Sequence, residues 1–123
     1  MTSQPTADQQ YPVEVRITRY AVCAYPGDDI NRGHFVVTVE DRGGGRWAVC
    51  QYGMCLNTSG GWDYEPIPSE RRDDWLATHR YDLDTALRLA QQAAPKITVN
   101  GSTIADVLAH VAHVNARTAR KDA

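Results

Sequence analysis

Three runs rich in β-branched residues, each closed by glycine or proline, confine the first half of this chain to short strands. From Pro12 onward Val13, Val15 and Ile17 alternate with Glu14 and Arg16, and RYAVCAY follows at 19–25. HFVVTVE at 34–40 and RWAVCQY at 46–52 are the next two runs. Branched and aromatic side chains of this kind pack on a pleated, half-buried surface. PGDDINRG (26–33) and DRGGG (41–45) supply the turn residues between them.

Hairpins centred near residues 29–30 and 43–44 place Val37 between Val22 and Cys50. Phe35 then falls between Ala24 and Tyr52, and Val39 between Tyr20 and Ala48. The expected inner face is Tyr20, Val22, Ala24, Phe35, Val37, Val39, Ala48, Cys50 and Tyr52. The outer face carries Arg19, Cys23, His34, Thr38, Glu40, Trp47 and Gln51, with Val36 and Val49 among them. A slip of one residue would exchange the two faces of a strand. LNTSGGWDYEP at 56–66 reads as a third turn and a short fourth strand, ended by Pro66 and Pro68.

The remainder has helical character. Ser69 is a candidate cap for a short helix through His79 that carries Trp75 and Leu76. Asp82 caps a second helix, in which Leu83, Leu87, Ala90 and Ala94 recur at the helical period before Pro95. After an extended KITVNGST, a last helix begins at Ser102 or Thr103, with Ile104, Val107, Leu108, Val111 and Val114 on one stripe. The pattern predicts an α+β fold: a three- or four-stranded antiparallel β-meander with one face packed by two or three C-terminal helices. Residues 1–12 are expected as a loose arm, 13–118 as a single domain and 119–123 as a short tail.

Composition narrows the function classes. The 123 residues carry 13 basic and 15 acidic side chains, a net charge of −2. Residues 1–68 hold five Arg and eight acids, for −3, and residues 69–123 eight basic residues and seven acids, for +1. Neither half builds the broad positive field that dominates phosphate-backbone binding. MTSQPTADQQYP lacks the basic and apolar regions of a secretory signal, and no run reaches the roughly 18 apolar residues of a membrane span. With three cysteines, an odd number, the expected compartment is the cytoplasm, where thiols stay reduced. Asn57-Thr58-Ser59 and Asn100-Gly101-Ser102 read as turn chemistry.

CQYGMC, residues 50–55, has the spacing of half a zinc site, but a closed site needs four ligands. In the register above Cys23 and His34 share the face opposite Cys50, so no face collects such a set. A disulfide is disfavoured too, because an offset of five puts Cys50 and Cys55 on opposite faces of one regular strand. Cys50 is expected in the core and Cys55 partly buried near the third turn, with no metal and no cofactor. Asp106, His110, His113 and Arg117 share one face of the last helix, and Asp, His and His there offer three metal ligands. In WDYEPIPSERRDDW (62–75), Trp62 and Tyr64 share a strand face, and Arg71 stands one helical turn before Trp75, the spacing of a cation–π contact. Tryptophan and arginine are the residue types that anchor interfaces. The outer sheet face, with Arg19, Trp47 and Tyr25, and the tail with Arg117, Arg120 and Lys121 are the places where nucleic acid could bind.

The run C55-L-N, then G61-W-D-Y-E-P-I-P-S-E-R-R-D-D-W-L76 and H79-R-Y-D-L-D-T-A-L-R-L-A90, resembles small uncharacterised proteins of actinobacteria and their phages or mobile elements. The resemblance spans about residues 46–100. It implies a small intracellular accessory protein and transfers no activity. The expected function is a non-enzymatic protein-interaction or regulatory module, meeting a protein partner through Trp62, Tyr64, Arg71 and Trp75. Two alternatives stay open: a nucleic-acid-binding accessory protein, and a metal-dependent enzyme using the histidines of the final helix. Oligomeric state is open as well.

Overall fold

One longer connection and three short turns reverse the chain four times, and the computed structural model, which describes residues 11–122, accordingly shows five strands paired in chain order. They are β1 (Arg19–Cys23), β2 (Val36–Asp41), β3 (Trp47–Gln51), β4 (Met54–Leu56) and β5 (Trp62–Tyr64). Three helices follow: α1 (Asp73–His79), α2 (Leu83–Ala93) and α3 (Ile104–Asp122). The result is an α+β fold, an antiparallel sheet packed on one face by the C-terminal helices α2 and α3, with Trp75 of α1 on the other. The sheet has five strands rather than three or four. Tyr52 and Gly53 both adopt positive φ (48° and 73°), so the chain turns back after Gln51 instead of running on.

The β1–β2 pairing is the expected one, with Val22 opposite Val37 and Tyr20 opposite Val39. The β2–β3 pairing differs by one residue: Val39 faces Val49, Thr38 faces Cys50, and Asp41 faces Trp47. The cause is the turn. Gly43, Gly44 and Gly45 all take positive φ (87°, 63° and 74°), a run that side chains on these residues would oppose. The loop therefore has an odd length and is centred on Gly44, with Arg42 N donating to the Arg46 carbonyl at 2.9 Å. A centre at 43–44 would need a loop of even length. The half-step turns β3 over, so Trp47 and Val49 face the helices while Ala48 and Cys50 face away.

The helix-side core joins Tyr25, Phe35, Val37, Val39, Trp47, Val49 and Leu56 to Ala86, Ala90, Ala94 and Ile97. Alanines on α2 let that helix lie close to the sheet, and Tyr25 stacks on Phe35 with ring centroids 5.5 Å apart. Asp82 caps α2 as expected, accepting from Thr85 N at 2.8 Å. Pro95 falls in a 3₁₀ turn that ends it. Thr103 and Asp106 cap α3 reciprocally, each side chain accepting from the other's backbone N–H at 3.1 and 3.0 Å.

Three local expectations give way. Ser69 lies in a 3₁₀ turn (Pro68–Glu70), and α1 starts only at Asp73. Val114, expected on the packed stripe of α3, is 44% exposed, because the last residue of that stripe packed against the core is Leu108. The strand expected from Val13 begins at Arg19. Of the loose arm expected at 1–12, only Tyr11 and Pro12 fall within the described residues.

Candidate functional site

The glycine loop and the Tyr52-Gly53 turn together set the site. A two-residue turn makes Gln51 and Met54 the pair next to it and Cys50 and Cys55 the pair after. In such a hairpin that second pair is the one without mutual backbone hydrogen bonds, where side chains approach most closely. The two sulfurs lie 3.8 Å apart. Cys50 and Cys55 are thus on the same face, contrary to the expectation drawn from a single regular strand, and both are buried (7% and 0% exposed). They pack with Ala48 and Trp75 on the side of the sheet away from α2. Cys23 is apart from them, its Sγ directed at the carbonyls of Tyr25 and Arg32 (4.0 and 3.8 Å).

The segment after β5 closes over this face. Glu65 N donates to the Gly53 carbonyl at 3.1 Å, which brings the Glu65 carboxylate beside the thiols. β4 is too short to cover the start of β3, and Tyr81 takes its place: Trp47 N to Tyr81 O is 2.7 Å and Tyr81 N to Trp47 O is 3.0 Å. That bridge carries Arg80 inward, where its side chain is 2% exposed. Its Nη2 reaches Glu65 at 2.5 Å, and its Nη1 lies 4.0 Å from Cys55 Sγ. Arg42 approaches from the other end. It donates to both Glu65 oxygens (2.7 and 3.1 Å), and its Nη2 is 3.5 Å from Cys50 Sγ. Glu40 accepts from Thr38 at 2.6 Å and lies 3.4 Å from Arg42. A cavity of about 360 Å³ opens over this layer, lined by Arg19, Thr38, Glu40, Arg42, Cys50 and Glu65 among others.

Charge in the layer is uneven. Glu40 and Glu65 face Arg42, Arg71 and Arg80, so the guanidiniums are one in excess. Burial pushes the Glu65 carboxyl up, but hydrogen bonds and charge from Arg42 and then Arg80 outweigh it and hold it at about 2. The hydrogen bond to Glu65 raises Arg42 against the opposing effect of burial. When one thiol of the pair ionises, Cys55 carries the charge: Cys50 donates to it, Arg80 assists, and burial and Glu65 oppose. The same hydrogen bond, then burial, raises Cys50.

Among the described residues, Cys50, Cys55 and Glu65 form a group able to contribute three metal ligands, all within 4.8 Å of one another. Both Glu65 oxygens, however, are already engaged by guanidiniums, and a dication there would have to displace charge-assisted bonds. The set fits thiol chemistry better than a divalent metal.

The residues singled out in the sequence are divided by the sheet. Trp62 is on the helix side, beside Leu56, Leu89, Ala93 and Ile97 in a small groove. Tyr64 is 79% exposed at the free edge formed by β5. Arg71 and Trp75 are on the cysteine side. Arg71 precedes α1 and donates to the Pro66 carbonyl at 2.7 Å, so the guanidinium over Trp75 belongs to Arg80, 5.1 Å from the ring centroid. His79 stacks on Trp75 at 4.0 Å and meets Asp63 at 2.7 Å. In α3, Asp106 serves the helix cap, while His110 and His113 are exposed. Trp47 and Tyr25 are buried, so neither offers an exposed ring on which a base could stack.

The sequence offers Glu65 only as one of several acids able to pair with Arg71 or Arg72, and Arg71 does meet it at 3.6 Å, but it does not point to Arg42 or Arg80. The one available signal was the glycine triplet, whose odd length reverses β3. Neither a family model, nor a curated protein, nor a solved structure matches this chain. Its own geometry therefore carries the functional reading.

Proposed function

We propose that this chain is a redox-responsive regulatory module in which Cys50 and Cys55 pass between dithiol and disulfide. The observation that carries the reading is the 3.8 Å separation of two sulfurs directly opposed across a hairpin. A bond of about 2.05 Å needs only a small approach of side chains whose backbones are already paired. The oxidant class is a low-molecular-weight disulfide. A proton passed from Cys50 to Cys55 places the negative charge on Cys50, the sulfur that lines the cavity, beside Arg42. Cys50 then attacks one sulfur of the incoming disulfide and releases the first small thiolate. Cys55, deprotonated in turn, attacks the Cys50 sulfur; the Cys50–Cys55 bond forms and the second small thiolate leaves. The two protons of the dithiol end on the two small thiols.

The test equilibrates the full chain with oxidised and reduced small thiol over a range of ratios. Intact mass should fall by two hydrogen atoms, and the tryptic peptide spanning 47–71, which holds both cysteines, should carry the change. Cys55→Ser should stop at a mixed disulfide on Cys50. Two free thiols in that peptide at every ratio, or oxidation confined to Cys23, would overturn the reading.

A second reading, a protein-partner surface, is favoured by Tyr64 and Ile67, which stand exposed on and just beyond the free edge of β5. A partner recovered under native conditions with wild type and lost with Tyr64→Ala would support it. Equal recovery by both would remove it.

A further inference from the structure

Residues 13–17 have the alternation of a strand, and among the described residues no strand pairs with them. Val13 and Val15 are 95% and 94% exposed, and Ile17 is 66% exposed. The last backbone bond that ties this end of the chain to β2 is Asp41 N to Thr18 O, at 2.8 Å. Since β2 ends at Asp41, no strand among the described residues extends alongside the residues before Thr18. Apolar side chains at every second position of an unpaired segment next to an edge strand are the features of a strand that completes itself on another chain.

We infer that residues 13–17 of two copies of this chain pair antiparallel about Val15, forming a two-fold homodimer. The occupant follows from charge. Centred on Val15, the pairing sets Val13 opposite Ile17, Val15 opposite Val15, and Glu14 opposite Arg16 twice. A slip of two residues in either direction sets Arg16 against Arg16 or Glu14 against Glu14. A slip of one residue sets apolar side chains against charged ones. Only the register about Val15 satisfies both patterns at once, and its self-complementarity is what an isologous interface requires. The charged side chains are available for it. Glu14 and Arg16 are 72% and 63% exposed, and Arg16 approaches Glu14 and Asp41 within its own chain only at 3.6 Å. Thr18 C=O is turned toward β2, so in an extended chain the N–H and C=O groups of Val13, Val15 and Ile17 point to the opposite, open edge. The pairing therefore does not compete with the sheet.

Sedimentation velocity on the full chain over a concentration series tests this. Wild type should show a monomer–dimer equilibrium. Glu14→Arg or Arg16→Glu, each placing like charges opposite one another twice, should weaken the dimer by about tenfold or more. Glu14→Arg/Arg16→Glu restores every opposite pair and should return the dimer to wild-type strength. An equimolar mixture of the two single variants should form heterodimer. Near-ultraviolet circular dichroism should be the same for all, because these side chains lie outside the core. Wild type that stays monomeric at every concentration would overturn the inference, as would single variants that dimerise like wild type or a charge-swapped pair that fails to recover.

Discussion

The two faces of the sheet are built from alternate residues of the same strands, yet they obey different rules. Toward α2 the layer is Val37, Val39, Trp47 and Val49 against alanines, held by area and shape. Away from α2 it is Thr38, Glu40, Ala48, Cys50 and Cys55 under Trp75, Arg80 and Glu65, held by a few directed bonds. The first tolerates exchange of one apolar side chain for another of like volume. The second does not, since each buried charge depends on its partner. Burying guanidiniums and carboxylates costs more than burying an apolar layer, and the costly face is the one that holds the dithiol.

Deleting Arg46 attacks the distinction itself. With the glycine loop kept, β3 advances by one residue against β2 and would present Ala48 and Cys50 to the helices and Trp47 and Val49 to the charged layer. Cooperative unfolding, followed by near-ultraviolet circular dichroism, should be lost. A deletion variant that unfolds as wild type does would show that the loop does not set the register.

Glu65→Gln comes next. It leaves Arg80 buried without its counter-charge and should cost about 3–5 kcal/mol in urea unfolding. The same residue gives the charged face its pH dependence. A carboxyl held at about 2, below its ordinary 4.5, contributes stability above pH 4.5 that is lost as pH falls toward 2. The contribution is on the order of 3 kcal/mol. Wild type should lose it over that window, and the Gln variant should show a flatter acid profile.

Val49→Ala, on the apolar face, should cost about 1.5–3 kcal/mol with no new pH dependence. That contrast with Glu65→Gln is the sharpest measure of how the faces differ. Asp82→Ala, which removes the cap of the helix covering the apolar face, should cost about 1 kcal/mol by thermal or urea unfolding.

Much of the apolar face could be read from the residues alone. β1 and β2 pair as their alternation required, and the caps at Asp82 and Thr103 are where short polar side chains precede helical periodicity. Asn57 accepts from the backbone N–H of Ser59 and Gly61, and Asn100-Gly101 takes positive φ, so both asparagine motifs are turns. The charged face was hidden for two reasons. A loop one residue longer reverses a strand, and CQYGMC contains a turn where a continuous strand was expected. The spacing of Cys50 and Cys55 then means the opposite of what it means in a single strand.

By itself the sequence determined an antiparallel sheet with helices behind it, because periodicity and turn chemistry are local and each residue reports them independently. Only the tertiary structure decided that Cys50, Cys55, Glu65, Arg42 and Arg80 meet. They come from separate segments, joined by a hairpin centre at Gly44 and a bridge from Trp47 to Tyr81, and charges so far apart in the chain carry no local signal of their pairing.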